Sequence, residues 1–522
     1  MGQSPSPFSP SVSVASRGRG SSTWPPLYET RDVREGCAVV ERSSAMIHRS
    51  RRTFLRRSSA LLVCGGASLL AACAAPAASP TAAPKADAKP TEAPKPAASP
   101  AASPGASPAA ASPVASPAAA ASPAASPAAS PAAQAAPAAV AKVAEVKIGG
   151  THPLSGTSAF DGTGNSHGAE LAAEEINAAG GIRGLGGARI SYLAGDTQSR
   201  VDAGTAEAER LIREGASALI GYQSDVMIAV TQVGERERTP VIVNLAVTDA
   251  ITERGFKYTF RVGGSSKQAS RATLEYLRDL AASKNVEVKR VGIIHNDALF
   301  ATTLGGLMEA DARALDYEVA GKVQYPVAST DLTNEAQRLR GLNADVLLAS
   351  SFFADGLLLA RTLSQLRVDF KGVWGALNGA FSQPRLVSEI GPAAEFISDN
   401  NWAVNTKSAE GRAFGEAVQR RWNEPVSFNH VYGYLCMRVA ADALERAGST
   451  DKEAVRNALA QTNLDPRGIV PWSGPIRFDE TGQNINVRPS LVQVLQSQLQ
   501  VVWPRDAAVA EPVFPVPSWS QR

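Results

Sequence analysis

From Val146 onward the chain alternates short apolar runs with amphipathic stretches, over and over, to about residue 374. That alternation restricts the fold more than anything else in the sequence, because strands separated by helix-length crossovers pair in parallel and carry helices on both faces. The first unit, VKIGGTHPLSGTSAFDGTGNSHGAELAAEEINAAGGIR (Val146–Arg183), reads as a strand over Val146–Gly149, a polar loop, and a helix. Ala169, Ala172, Ala173 and Ile176 recur at i, i+3, i+4 and i+7, one stripe for packing on a sheet. Gly180 stands where a helix end needs a left-handed residue. The unit places Ser155, Phe160 and Asp161 in the loop at the carboxyl end of the first strand, where open α/β sheets bind ligands.

The same reading continues with strands at Arg189–Leu193, Ala218–Gly221, Pro240–Asn244, Thr259–Arg261, Val291–His295, Val319–Val323, Val346–Ala349 and Gly372–Trp374. Helices fall at Ala203–Glu214, Val226–Arg236, Lys267–Ala282, Leu304–Leu315, Asn334–Leu342 and Gly356–Leu366, followed by two long ones, Ala409–Arg421 and Asn429–Ala447. A closing β segment takes Gly474–Phe478 and Leu491–Trp503. So many strands exceed an ordinary single sheet, so the expected fold is α/β with two doubly wound parallel-sheet lobes. Their boundaries are read as 145–262 plus 402–472 and 263–401 plus 474–510.

The formal charge of +3 over 522 residues is set by the N-terminus. Residues 1–73 hold ten Arg, no Lys and four acids, leaving 42 basic against 45 acidic residues, or −3, for the rest. No concentrated basic face follows, so no nucleic-acid partner is expected. Of Cys37, Cys64, Cys73 and Cys436 only the last falls in the folded part, which excludes a disulfide framework or a Cys-based zinc site there.

Residues 1–45 are polar and aperiodic, read as a mis-assigned start ahead of Met46 or a disordered extension. Residues 46–73 read as a signal peptide. Ser50-Arg51-Arg52-Thr53-Phe54-Leu55-Arg56 resembles the twin-arginine export signal. The apolar run Ser59–Leu70 is too short for a permanent span. Leu70-Ala71-Ala72-Cys73 resembles a lipobox, making Cys73 the lipidated residue that anchors the chain to the outer face of the membrane. Residues 74–141, almost wholly Ala, Pro and Ser, read as a semi-rigid spacer.

Several blocks resemble one family. Pro153-Leu154-Ser155-Gly156 with a helix ending in Ile176–Ile182, Ala218-Leu219-Ile220-Gly221 with Ser224, and Thr248–Gly255 before Phe260-Arg261 are similar to leucine/isoleucine/valine-binding proteins. Asn429–Tyr434 and Gly474–Asp479 with Gly482 extend the likeness in the correct order. These are the type I periplasmic solute-binding proteins of ABC importers. The resemblance implies two lobes joined by a three-segment hinge near Val262–Gly263, Asn400–Trp402 and Pro471–Gly474, closing on a small-molecule ligand. It implies no enzyme activity, no cofactor, a monomer, and ABC permease subunits as partners. The alternative is a sensor module for an amide, urea or aromatic acid that signals to a receptor or kinase.

The family holds a ligand carboxylate on hydroxyls and backbone N–H groups at a helix N-terminus, where dipole and orphan donors favour an anion. The matching positions are Ser155, Gln223, Ser224, Ala246, Val247 and Thr248, with Ser224 alternatively a plain N-cap. Phe300 and Phe352 fall where the family has aromatic walls, or else serve the core. The family's acid for the ligand ammonium is absent from Gly375–Gly379, leaving the uncharged Asn378, and Asp161 is the candidate to supply the charge from the other lobe. Gly162–Gly168 departs from the dinucleotide fingerprint in the place of its third Gly. Gly221–Asp225 is not a nucleophile elbow. His152, His167, His295 and His430 show no paired metal spacing, so no metal is expected.

Overall fold

The computed structural model describes residues 143–471 and 474–522. The expectations for the N-terminus, signal peptide, Cys73 and spacer lie outside the described residues, as do Trp472 and Ser473. Within them, Glu145–His152 forms β1, Arg189–Asp196 β2, Ala216–Gly221 β3, Val241–Val243 β4 and Thr259–Arg261 β5. They make a wholly parallel sheet of order β2-β1-β3-β4-β5. Helices α1 (Ala159–Ala178), α2 (Val201–Arg213) and α3 (Ser224–Arg236) are its crossovers. The stripe Ala169, Ala172, Ala173 and Ile176 is buried, as the spacing requires.

The second sheet is built after α4 (Ser266–Ser283). It contains β6 (Arg290–Asn296), β7 (Glu318–Tyr325), β8 (Val346–Ser350), β9 (Gly372–Ala376) and β10 (Ser398–Asn401), interleaved with α5 (Leu299–Ala314), α6 (Thr333–Gly341), α7 (Phe353–Leu366) and α8 (Pro384–Ile390). The chain then returns to the first lobe through α9 (Ala409–Trp422), α10 (Phe428–Ala447) and α11 (Lys452–Ala460). The hairpin β11 (Ser490–Leu495) and β12 (Gln498–Trp503) completes the order β12-β11-β10-β9-β8-β6-β7, with β10, β11 and β12 pairing antiparallel. Among the described residues no helix is long and apolar enough to cross a membrane.

The structure corrects several element readings. The loop after β1 is shorter than expected, and Phe160 and Asp161 lie in the first turn of α1. Gly162–Gly168 is helical, and its glycines serve packing. A Cβ on Gly168 would stand 2.0 Å from the His430 carbonyl, and one on Gly433 1.8 Å from that of Asn165. Helices α1 and α10 therefore touch backbone to backbone, which only hydrogen at Cα permits. Asn400 belongs to β10, not to a connection. The stretch 474–484 makes isolated bridges to Leu464 and Arg261 beside the first sheet and forms no strand. The third crossing therefore falls between Asn484 and Ser490, later than Pro471–Gly474.

Candidate functional site

The carboxyl ends of β3 and β4 from one sheet, and of β8 and β9 from the other, face one another across the interlobe cleft. Two spaces lie there. The inner cavity is lined from the first lobe by Tyr222, Gln223, Ser224, Leu245, Val247 and Phe428, and from the second by Phe300, Ser351, Phe352, Leu377 and Gly379. Its volume is about 20 Å³, close to the room that one water needs. The outer chamber, about 470 Å³, lies between Phe160, Thr163, Glu424, Asn429 and His430 of the first lobe and Gln383, Arg385 and Ser388 of the second. Phe160 stacks on Phe353 across the lobes with ring centroids 4.2 Å apart.

The tight turns that end β3 and β9 shape the inner cavity. Gln223 (φ 81°) and Leu377 (φ 54°) both take left-handed backbone that side chains disfavour, one on each lobe. Such strain persists only where the surroundings enforce it. Ser224 is the first residue of α3 rather than its cap, with Gln223 in the cap position. Its Oγ accepts the Thr248 N–H at 3.4 Å, leaving its hydroxyl hydrogen available to a ligand. The Thr248 hydroxyl and the Gln223 Oε1 are buried without partners. Buried polar atoms are nearly always paired, so both are exceptions at this end of the cleft. Phe300 and Phe352 pack at 4.9 Å as aromatic walls.

Other candidates stand elsewhere. Ser155 is exposed and donates to Asp196 Oδ2 at 2.7 Å, tying the β1 loop to β2. Ala246 is buried, and its carbonyl accepts from Arg261 Nη1 at 3.2 Å. Asn378 is spent on its own turn: Oδ1 accepts the N–H of Ala380 and Phe381, and Nδ2 donates to Ser351 Oγ. Both polar atoms of its side chain are thus engaged within the second lobe. Asp161 is fully buried, and Oδ1 accepts from Asn429 Nδ2 at 2.8 Å. Burial pushes its carboxyl up to about 7, with the Asp355 carboxylate across the cleft adding to the rise and a hydrogen bond from the Phe353 backbone opposing it. Asp355 is raised by burial too, while Asn296 and Tyr325 donate to its Oδ2.

Sequence reasoning missed two supporting arrangements. Arg261 is buried, and it donates to the carbonyls of Ala246 and Thr248, to Thr252 Oγ1 and to Gln483 Oε1, holding the 246–248 loop in place. Asn244, Asn165 and Asn429 form a buried amide chain that ends on Asp161. Single polar residues in apolar helices carry no periodicity, so the only available signal was their placement on otherwise buried faces.

His167, Glu424 and His430 could hold a metal ion, since their donor atoms lie within 4.8 Å of one another. Pairing needed α1 and α10 to meet, which no local spacing reveals. The His430 Nδ1 accepts the Ser427 N–H as part of a capping box, so the ring proton sits on Nε2 and points at Glu424 Oε2. A metal would have to displace that proton and face the amide hydrogen with a second N–H. The imidazoles here are donors to a carboxylate. His152, at the end of β1, is buried neutral, its basicity lowered to about 3 by burial.

The family model described as a periplasmic binding protein matches residues 145–498. A Leu/Ile/Val-binding protein homolog 8 of Brucella suis biovar 1 is 28% identical over 392 residues, 73% of this chain and 96% of the relative. The fold is that of a branched-chain amino acid transporter substrate-binding protein from Streptococcus pneumoniae, solved with isoleucine. The TM-score is 0.58 at 19% identity, over 71% of this chain and 100% of that one. It is equally that of an ABC transporter solute-binding protein from R. palustris, solved with benzoate, with TM-score 0.59 and 20% identity, over 71% and 99% of the two chains. The chain belongs to the periplasmic binding protein family, extracytoplasmic binders of solutes rather than enzymes.

Proposed function

We propose that the chain is the solute-binding lipoprotein of an ABC importer, held to the outer face of the membrane by lipidated Cys73, delivering a small molecule to permease subunits as a monomer. The observation that carries the reading is the inner cavity, walled by both lobes at their strand ends, with Gln223, whose Oε1 is unpaired, in its lining. Only a closed clamp presents both walls to one ligand, so binding and closure are linked. The proposed solute is a branched-chain amino acid or a related apolar carboxylate, such as the isoleucine and benzoate of the two relatives, received between these walls once the lobes part. The carboxylate lies at Ser224 and the N-terminus of α3, and the apolar part lies between Phe300 and Phe352. At about 20 Å³ the cavity is too small for such a solute as it stands, so the lobes must part to admit it.

A thermal-shift screen over aliphatic amino acids, amides, urea and aromatic acids tests this. A true solute at a hundred times its Kd adds about 2.7 kcal/mol of stability. Failure of every class to raise the melting temperature would overturn the reading.

A further inference from the structure

The end of the inner cavity that the reading above gives to a carboxylate already holds one. Asp225, the second residue of α3 and half-buried, turns its carboxylate back onto the N–H groups of Asp225 and Val226. Those amides are the donors that the positive end of the helix offers to an anion. Burial raises the Asp225 carboxyl, while the two amides and the Gln223 side chain hold it down. Gln223 is 5% exposed and lines the cavity. Its Nε2 is turned to the Ser199 carbonyl at 3.4 Å and to Asp225 Oδ2 at 3.5 Å. What it leaves buried without a partner is Oε1, an acceptor. The charge is felt at the cavity wall too. Burial holds the Tyr222 phenol well above its ordinary range, and the carboxylates of Asp161 and Asp225 add to the rise.

We propose that Asp225 is a built-in competitor of the solute's carboxylate, and so the residue that sets how this chain ranks a carboxylate against its neutral carboxamide. The inference rests on the clamp reading and concerns the same cavity. A carboxylate approaching Ser224 needs donors. It meets first-turn amides that Asp225 has already engaged, a like charge one residue away, and the unpaired acceptor of Gln223. Bringing like charges together opposes binding. A carboxamide of the same shape carries no charge, so its N–H donates to Gln223 Oε1 and its carbonyl still takes the Ser224 hydroxyl. The aromatic walls, Phe300 and Phe352, receive the apolar part of either molecule alike. Asp225 therefore shifts the ranking toward the amide without altering the rest of the cavity.

Isothermal titration of the full-length chain with two matched pairs tests it, benzoate against benzamide and isovalerate against isovaleramide. The parent chain is expected to bind each amide at least as tightly as its acid. Asp225→Asn keeps the size of the side chain and removes its charge. It should tighten both acids about tenfold and leave both amides within about twofold. Asp225→Ala also frees the amides of α3 and should tighten the acids at least as much. A gain in affinity is not what a poorly folded variant gives. Asp202→Asn, at an exposed acid in the first turn of α2, controls for net charge and should leave every solute unchanged. Acids that Asp225→Asn binds no better than the parent, yet Ser224→Ala binds more weakly, would overturn the competitor and leave the clamp reading standing. So would an equal gain for acids and amides, or a parent chain that prefers each acid about tenfold over its amide. If no member of either pair binds to any of these proteins, the clamp reading falls and this inference with it.

Discussion

The two spaces between the lobes differ in what holds them. The inner cavity is nearly shut, and its walls are aromatic and aliphatic side chains packed on one another. The outer chamber is far larger, and the charged groups on it, Arg385 and Glu424, have partners of their own. Apolar packing across the inner cleft favours closure without a solute, since removing such surface from water is favourable wherever it meets. Working against it, Asp161 is buried facing the Asp355 carboxylate across the cleft, and burial with that neighbouring charge raises the Asp161 carboxyl. The balance of these opposing contributions sets how readily the clamp shuts on nothing.

The largest expected effect tests the carboxylate side of that balance. Asp161 keeps its proton up to about 7 in the closed chain, against an ordinary 3.8. Its contribution to the closed form is full below about 4 and is lost as the pH rises through about 7, because the exposed group releases its proton first. Three pKa units correspond to at most about 4 kcal/mol. Asp399 is raised to about 7 as well, by burial, but its partners Ser382, Asn378 and Asn401 all lie in the second lobe. Its titration therefore acts on that lobe alone. Small-angle scattering of the solute-free chain should show a compact form at pH 5 and a more open one at pH 8. Asp161→Asn should stay compact at both, while Asp399→Asn should follow the parent chain in opening. An Asp161→Asn profile that also follows the parent would remove the carboxylate from the closing balance.

A smaller effect tests the apolar side. Phe352 is buried at the cap of α7, packed on Phe300. Phe352→Ala should cost about 3 kcal/mol in a denaturant titration. It should also weaken benzoate about tenfold. A full stability loss with unchanged benzoate affinity would make Phe352 core and not wall.

What the sequence shows plainly is what local spacing encodes. The alternation of apolar runs and helical stripes, from Val146 to Trp374, marks out the parallel strands β1 to β9 because burial on a sheet imposes those periods, whereas the polar β10 escapes it. The block order placed Gln223, Ser224, Val247, Phe300 and Phe352 together, and they do line one cavity. What spacing cannot encode is contact between elements distant in the chain. Glu424 meets His167 from 257 residues away, and Asn429 meets Asp161 from 268. The short α8 was missed for a different reason. Seven residues starting at a proline hold too little of a helical period to be read, yet α8 carries Arg385 to the chamber.

The smallest effect separates the two spaces most directly. Ser224 Oγ lies at the start of α3 with its hydrogen uncommitted, and Thr248 N–H already occupies one of its lone pairs. A carboxylate reaching the inner cavity would take that hydrogen at the positive end of the helix, where the amides of Asp225 and Val226 already meet the Asp225 carboxylate. Removing the hydroxyl deletes one such bond but leaves the amides and the aromatic walls. Ser224→Ala should therefore weaken benzoate by about 1–2 kcal/mol and leave the melting temperature of the solute-free chain nearly unchanged. Calorimetric affinity for benzoate identical in the two proteins would take Ser224 out of the site. The carboxylate would then rest on the unpaired Thr248 hydroxyl instead, because it is the remaining buried hydroxyl without a partner at that end of the cleft.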